Sequence, residues 1–198
     1  MAARKKKRST ATPRTRPALD RAAWVAAGRE VLVGGGIAAV KIGQLAARLG
    51  VTREAFYWHF KGLGELHEAL RADWESDNRT RFERSYADPG RDRMSDLRSV
   101  AALLLGEESF RTGWDNAMRD WARISPPTAK LVNRIDRERT RNLYKLFRDL
   151  GMDELEASAR ARIYYLFQVG YYTTDIADPI ELRKRLIPEY LRILIGRP

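Results

Sequence analysis

The stretch "KIGQLAARLGVTREAFYWHF", Lys41 to Phe60, decides the fold. Ile42, Leu45, Ala46 and Leu49 share one helical stripe, and Gly50 closes it. A residue that tolerates a left-handed backbone is needed at such a stop, and glycine does so without steric cost. Val51 is apolar in the turn and able to pin two helices together, while Ala46 is small where they must approach. Thr52 is a cap for a second short helix, Arg53 to Phe60. Two short helices joined this way are a helix-turn-helix, in which the second helix enters the major groove of DNA.

Five ring-bearing residues in a row, Phe56 to Phe60, cannot all face one core. At roughly 100° per residue, Phe56 and Phe60 point the same way, with Ala55 and His59 on the flank of that face. Tyr57, Trp58, Glu54 and Lys61 fall on a different side. Phe56 and Phe60 therefore form the core pair. The others suit a sugar-phosphate backbone, where tyrosine offers a hydroxyl, tryptophan an indole N–H and lysine a charge. Arg53 is the candidate for bidentate reading of a guanine edge. Glu54 either accepts from a cytosine amino group or is an acid favoured by the dipole of the helix's first turn.

Outward from this motif the chain continues helical. Asp20 starts a helix over Arg21 to Val33, stopped by "GGG", Gly34 to Gly36. Leu63, Leu66, Leu70 and Trp74, three or four apart, mark a long connecting helix that ends near "ADPG", Ala87 to Gly90. Beyond it, helices are predicted in "RDRMSDLRSVAALLLGEESF", in "GWDNAMRDWARI" up to Ser125-Pro126-Pro127, and in "TAKLVNRIDRERTRNLYKLFRDLG" up to Gly151. "DELEASARARIYYLFQVGYYTTD" is apolar around much of its second half, and "IELRKRLIPEYLRILI" carries a candidate break at Pro188. No segment alternates as a strand would. The expectation is an all-α chain of about nine helices.

At this point the chain resembles the tetracycline-repressor (TetR) family of bacterial transcription regulators, over residues 19–78. The resemblance rests on "GIAAVKIGQLAARLGVTREAFYWHFKGLGEL", and within it on "LAARLGV" and "YWHF" followed by "EL". It implies a DNA-binding domain over 18–78 with its motif at 41–60, and a helical effector-binding and dimerisation domain over 79–198. It also implies Lys41–Leu49 as the first motif helix and Thr52–Phe60 as the recognition helix. Thr52, Arg53, Tyr57, His59 and Lys61 match positions that family members commonly use on DNA. With Lys41, Gln44, Glu54 and Trp58 they complete the candidate DNA-binding set. Two positions depart from the pattern: Lys41 stands where many members have a capping Thr or Ser, and Gly43 replaces a polar residue. Gly43 also costs about 1 kcal/mol of helix propensity against alanine.

The remaining sequence sets the partners. The 198 residues carry a net charge of +11, and residues 1–17 hold seven basic side chains and no acid. Such a segment is disordered by itself and reads as an arm for phosphates or as a solubilising leader. There is no cysteine, so disulfides, thiolate catalysis and cysteine-type zinc sites are excluded. No signal peptide or membrane span is read, and the compartment expected is the cytoplasm. The two histidines, eight apart, lack metal spacing, and no cofactor or metal is expected. His67 reads as a surface or packing residue. Trp114, Met118, Trp121, Tyr144, Phe147, Tyr164 and Phe167 are candidates for an effector pocket, against the ordinary reading of such residues as core. The resemblance also implies that the helices over Leu155–Thr174 and Ile180–Ile195 pair across a two-fold homodimer, as a palindromic operator in double-stranded DNA requires, against the ordinary reading of their aromatic and aliphatic residues as intramolecular core. The function expected is a sequence-specific DNA-binding repressor released by a small organic effector. The alternative is a non-specific DNA-coating protein without an effector.

Overall fold

The computed structural model describes residues 20–86, 109–174 and 178–195. Among them there are α-helices and no strand. The order is α1 (Arg21–Gly35), a short 3-10 turn (Ile37–Ala39), α2 (Ile42–Leu49), α3 (Arg53–Tyr57) and α4 (Leu63–Tyr86), then α5 (Ser109–Ala122), α6 (Pro126–Asp149), α7 (Glu154–Thr173) and α8 (Ile180–Ile195). These eight α-helices compare with about nine expected. The helix predicted over 91–110 lies almost wholly outside the described residues, as do the "ADPG" turn and the basic arm over 1–17.

Asp20 starts α1 as its type dictates, its Oδ1 accepting from the Ala23 N–H at 2.9 Å. The helix runs two residues past its expected end. Gly34 and Gly35 stay helical, and only Gly36, with φ 72°, turns the chain, its N–H donating to the Leu32 carbonyl. Pro126 stands at the first turn of α6, where a missing N–H costs nothing. Asp153 caps α7 by accepting from the Glu156 N–H at 2.8 Å. The expected break at Pro188 is absent, for α8 continues through it. Packing outweighs the local penalty there: beyond the proline, the Tyr190 ring meets Phe167 on α7 at 4.8 Å.

Two cores organise the helices. The first runs from the helix-turn-helix into the rest of the molecule, joining Trp24, Phe56, Leu66, Leu70 and Trp74 to Trp114, Met118 and Trp121 on α5 and to Leu131, Val132 and Ile135 on α6. The second is built by Leu143, Leu146 and Phe147 of α6 with Ala157, Ala161, Tyr164 and Tyr165 of α7. None of the described helices is long and apolar enough to cross a membrane.

The aromatic run divides as the helical wheel requires. Phe56 is fully buried and Phe60 nearly so, whereas Tyr57 is 58% and Trp58 84% exposed. Truncating a buried phenylalanine costs about 3–5 kcal/mol, while an exposed side chain away from special contacts is worth about 0.5 kcal/mol or less. Phe56→Ala is therefore expected to lower unfolding free energy by about that larger amount, and Trp58→Ala to leave it nearly unchanged. Urea denaturation of both variants would measure the difference; equal losses would refute the division of the run.

Candidate nucleic-acid interface

The angle between α2 and α3 is set by backbone chemistry at Gly50. Its φ of 69° and ψ of 35° place it in the left-handed region. The Gly50 N–H donates to the Ala47 carbonyl at 3.2 Å, and the Val51 N–H reaches back to Ala46 at 3.0 Å. This is a Schellman closure, which satisfies the last carbonyls of α2 while reversing the chain. Ala46 is buried, and Val51 packs against the core beside it.

The second helix is shorter than predicted. α3 ends at Tyr57, not Phe60, and Trp58 and His59 form a turn. The cause is hydrogen bonding: both His59 and Phe60 N–H groups converge on the Phe56 carbonyl, at 3.0 Å each, so the last turn tightens and closes. Phe60 still reaches the core, stacked on Phe56 with centroids 5.2 Å apart. Phe56 also meets the Trp24 ring edge-on at 5.3 Å.

Thr52 does not cap α3 through its side chain. Its hydroxyl lies instead beside the Glu54 carboxylate. That carboxylate is held below its ordinary range, first by its own backbone N–H and then by Thr52. Folded back in this way, Glu54 matches the reading as a first-turn acid better than the reading as an acceptor for cytosine.

Lys41, Gln44, Thr52, Arg53, Glu54, Tyr57, Trp58 and Lys61 are all exposed, on α2, α3 and the turns beside them. Lys41 stands before α2 and makes no side-chain cap. His59 is half-buried, and its carbonyl accepts from Arg21.

Four residues outside this set hold it in place. Arg21, the first residue of α1, donates to the His59 carbonyl at 2.9 Å and to Glu65 at 2.6 Å, with its guanidinium 4.3 Å above the Phe60 ring. Glu65 on α4 in turn accepts from the Lys61 N–H at 2.8 Å. The turn after α3 is thus latched to both α1 and α4. Arg48 of α2 pairs with Glu30 of α1 through Nε at 2.9 Å. Sequence reasoning missed the ion pairs Arg21–Glu65 and Arg48–Glu30 because their members are 44 and 18 residues apart, with opposite charge as the only signal.

The candidate effector residues do not form one group. Trp114, Met118 and Trp121 belong to the first core, whereas Phe147 and Tyr164, with half-buried Tyr144 and Phe167, belong to the second. The Trp114 ring lies under the Arg29 guanidinium, and Trp121 is met edge-on by His67 and approached by Arg71. His67 is a packing residue. Burial pushes its imidazole down, and the Arg71 charge does so further.

Between the two cores lies a polar cluster that the sequence did not reveal, because its members sit on three helices. Arg119 of α5 holds Asp136 of α6 through two bonds of 3.0 and 2.9 Å, and Tyr165 of α7 donates to the same carboxylate at 2.5 Å. Burial works against the Arg119 charge, but Asp136 and Tyr165 outweigh it and raise its affinity for the proton. The hydroxyl of Tyr164, next in the chain, is buried and finds no hydrogen-bond partner among the described residues.

The sequence model of the bacterial regulatory proteins of the tetR family matches residues 25–70, from α1 through the latched turn into α4. Over these residues the chain is similar to the N-terminal region of tetR-family regulators. No protein of curated function matches the chain. Solved structures share its fold. A transcriptional regulator from Rhodococcus sp. Rha1 is 21% identical with a TM-score of 0.69, over 89% of this chain and 94% of its own. A tetR-family regulatory protein from Rhodococcus RHA1 is 18% identical with a TM-score of 0.67, over 88% and 96%. The ketosteroid transcriptional regulator KstR2 of Mycobacterium tuberculosis is 14% identical with a TM-score of 0.66, over 89% and 93%. Regulators of the tetR family are DNA-binding transcriptional regulators, and the chain has their fold beyond the matched domain as well as within it.

The latch has a pH signature. Glu65 is held below its ordinary carboxylate range, first by the Lys61 N–H and then by Arg21. A carboxylate with a depressed folded pKa adds stability that is present above its unfolded value, about 4.3, and lost as pH falls through the lower folded value. The gap in Tm between the native protein and Glu65→Gln is therefore expected to be full at pH 7 and to close below about pH 4. Thermal melts across that range provide the check, and a gap independent of pH would contradict the latch.

Proposed function

We propose that the protein is a homodimeric repressor that grips a palindromic operator and is released by a small organic effector, acting in the cytoplasm without a cofactor. One observation carries this reading: Tyr57 and Trp58 stand out from a tetR-family helix-turn-helix whose other rings are locked inward. Large rings left wet on such a face suit a sugar-phosphate backbone. Lys41, Gln44, Thr52, Tyr57, Trp58 and Lys61 would position the domain, with His59 at the edge of the contact. Arg53 would read a base.

A palindrome calls for two copies. Leu155, Ile163 and Leu166 on α7 are 81%, 58% and 67% exposed, and Ile193 on α8 is exposed as well. At 155, 163 and 166 the spacing places them along one face of their helix. Covering that apolar face with its own copy would bury it and set two reading heads at a fixed separation. An effector among the second core and the Arg119–Asp136–Tyr165 cluster would act by favouring a separation that DNA does not accept, a population shift between two states. Buried aromatic walls with a few convergent polar groups have the chemistry for such a ligand.

Tyr57→Ala or Lys61→Ala is expected to weaken binding to every sequence, and the lysine change to reduce the salt slope by about one. Arg53→Ala is expected to relax preference at one base step, by about 1–3 kcal/mol. Gel-shift titration against the DNA upstream of the protein's own gene and against random DNA separates these outcomes. Equal affinity for both DNAs would favour non-specific coating and sink the operator reading. Ile163→Asp with Leu166→Asp is expected to give a monomer in analytical ultracentrifugation, and a persistent dimer would move the interface elsewhere.

A further inference from the structure

Gly43 lies in the first turn of α2, where a helix gains nothing from glycine, and its φ is not positive. Backbone freedom therefore does not explain it. The space around it does. A β-carbon at position 43 would stand 2.7 Å from Arg53 Nη2, 2.9 Å from Nε and 3.1 Å from Cζ. All three lie inside van der Waals contact, so the Arg53 guanidinium occupies the place that a side chain at 43 would fill. The arginine leads α3 yet lies back across α2. Among the described residues no carboxylate closes an ion pair on it, so its donors remain available to a partner.

We propose that Gly43 is a specificity-determining residue that acts through Arg53, as the seat on which the guanidinium rests. An arginine on a free stem spreads its fork over many rotamers. Bidentate recognition of a guanine needs that planar fork in one plane and at one height. Laid against the α2 backbone, the guanidinium is restricted before DNA arrives, and the line of its approach is fixed by the angle between α2 and α3. This rests on the DNA-reading role proposed above for Arg53. The obstruction to a larger residue is the far end of a flexible side chain rather than backbone, so substitution displaces Arg53 and leaves the fold intact.

The test compares the native protein with Gly43→Ala, Arg53→Ala and the double variant. Operator DNA is first selected from a random-sequence pool by the native protein. Each base pair of a half-site is then varied in turn. Gly43→Ala is expected to keep or raise Tm and to keep the salt dependence of binding. Discrimination should fall about tenfold at the same base step that Arg53→Ala relaxes, with no further loss in the double variant. A purely structural role for Gly43 would lower Tm and affect every sequence alike. Native discrimination in Gly43→Ala would overturn the proposal, as would a loss that Arg53→Ala does not share. A native protein that selects no preferred sequence would overturn the DNA-reading role itself, a result plainly different from the other two.

Discussion

The contact on which the exposed face of α3 depends is the Phe56 ring, held edge-on by Trp24 and stacked on Phe60. α3 has five residues, far below the length at which a helix stands alone in water. Its stability is therefore almost entirely borrowed from the core. Phe56 supplies the anchor, Phe60 extends it past the end of the helix, and Arg21 covers the outer face of the Phe60 ring. Side chains that leave this anchor in other directions have no choice but solvent or a partner. The exposure of Tyr57 and Trp58 is thus a geometric result of where Phe56 must go.

That logic made the N-terminal half legible in the sequence. Gly50 announced the reversal, the spacing of Leu66, Leu70 and Trp74 announced the inner face of α4, and Phe56 and Phe60 announced the core pair. What sequence periodicity mis-stated was length. It carried α3 on to Phe60 because Phe60 faces inward, and an inward residue looks helical whether it sits in a helix or in the tight turn that follows. At Pro188 the error ran the other way, since a local penalty was overruled by ring packing that only the folded chain supplies. Thr52 stands at the N-cap position of α3 as expected but makes no side-chain cap there.

The C-terminal half was less legible for a physical reason. Apolar and aromatic residues at helical spacing declare that a face is buried without declaring against what. Trp114 and Tyr164 look alike in the sequence, yet they belong to different cores. The Arg119–Asp136–Tyr165 cluster is invisible to periodicity, because ion pairs between helices leave no mark on the spacing within either one. The same holds for the bond from Trp74 Nε1 to Asp115, 2.7 Å long, which ties α4 to α5.

α4 is one continuous helix of 24 residues, anchored part-way along by a bidentate pair between Glu75 and Arg134 of α6, at 2.9 and 3.0 Å. From that anchor to Leu63 the helix spans about 18 Å at its ordinary rise. Stiff over that distance, it works as a lever. A tilt of about 10° about the anchor would carry the Leu63 end, and with it the latched turn and α3, by about 3 Å. That displacement is close to the spacing between successive base pairs, about 3.4 Å. Small repacking around α6 would thus be enough to carry α3 and its latched turn through a distance of that size.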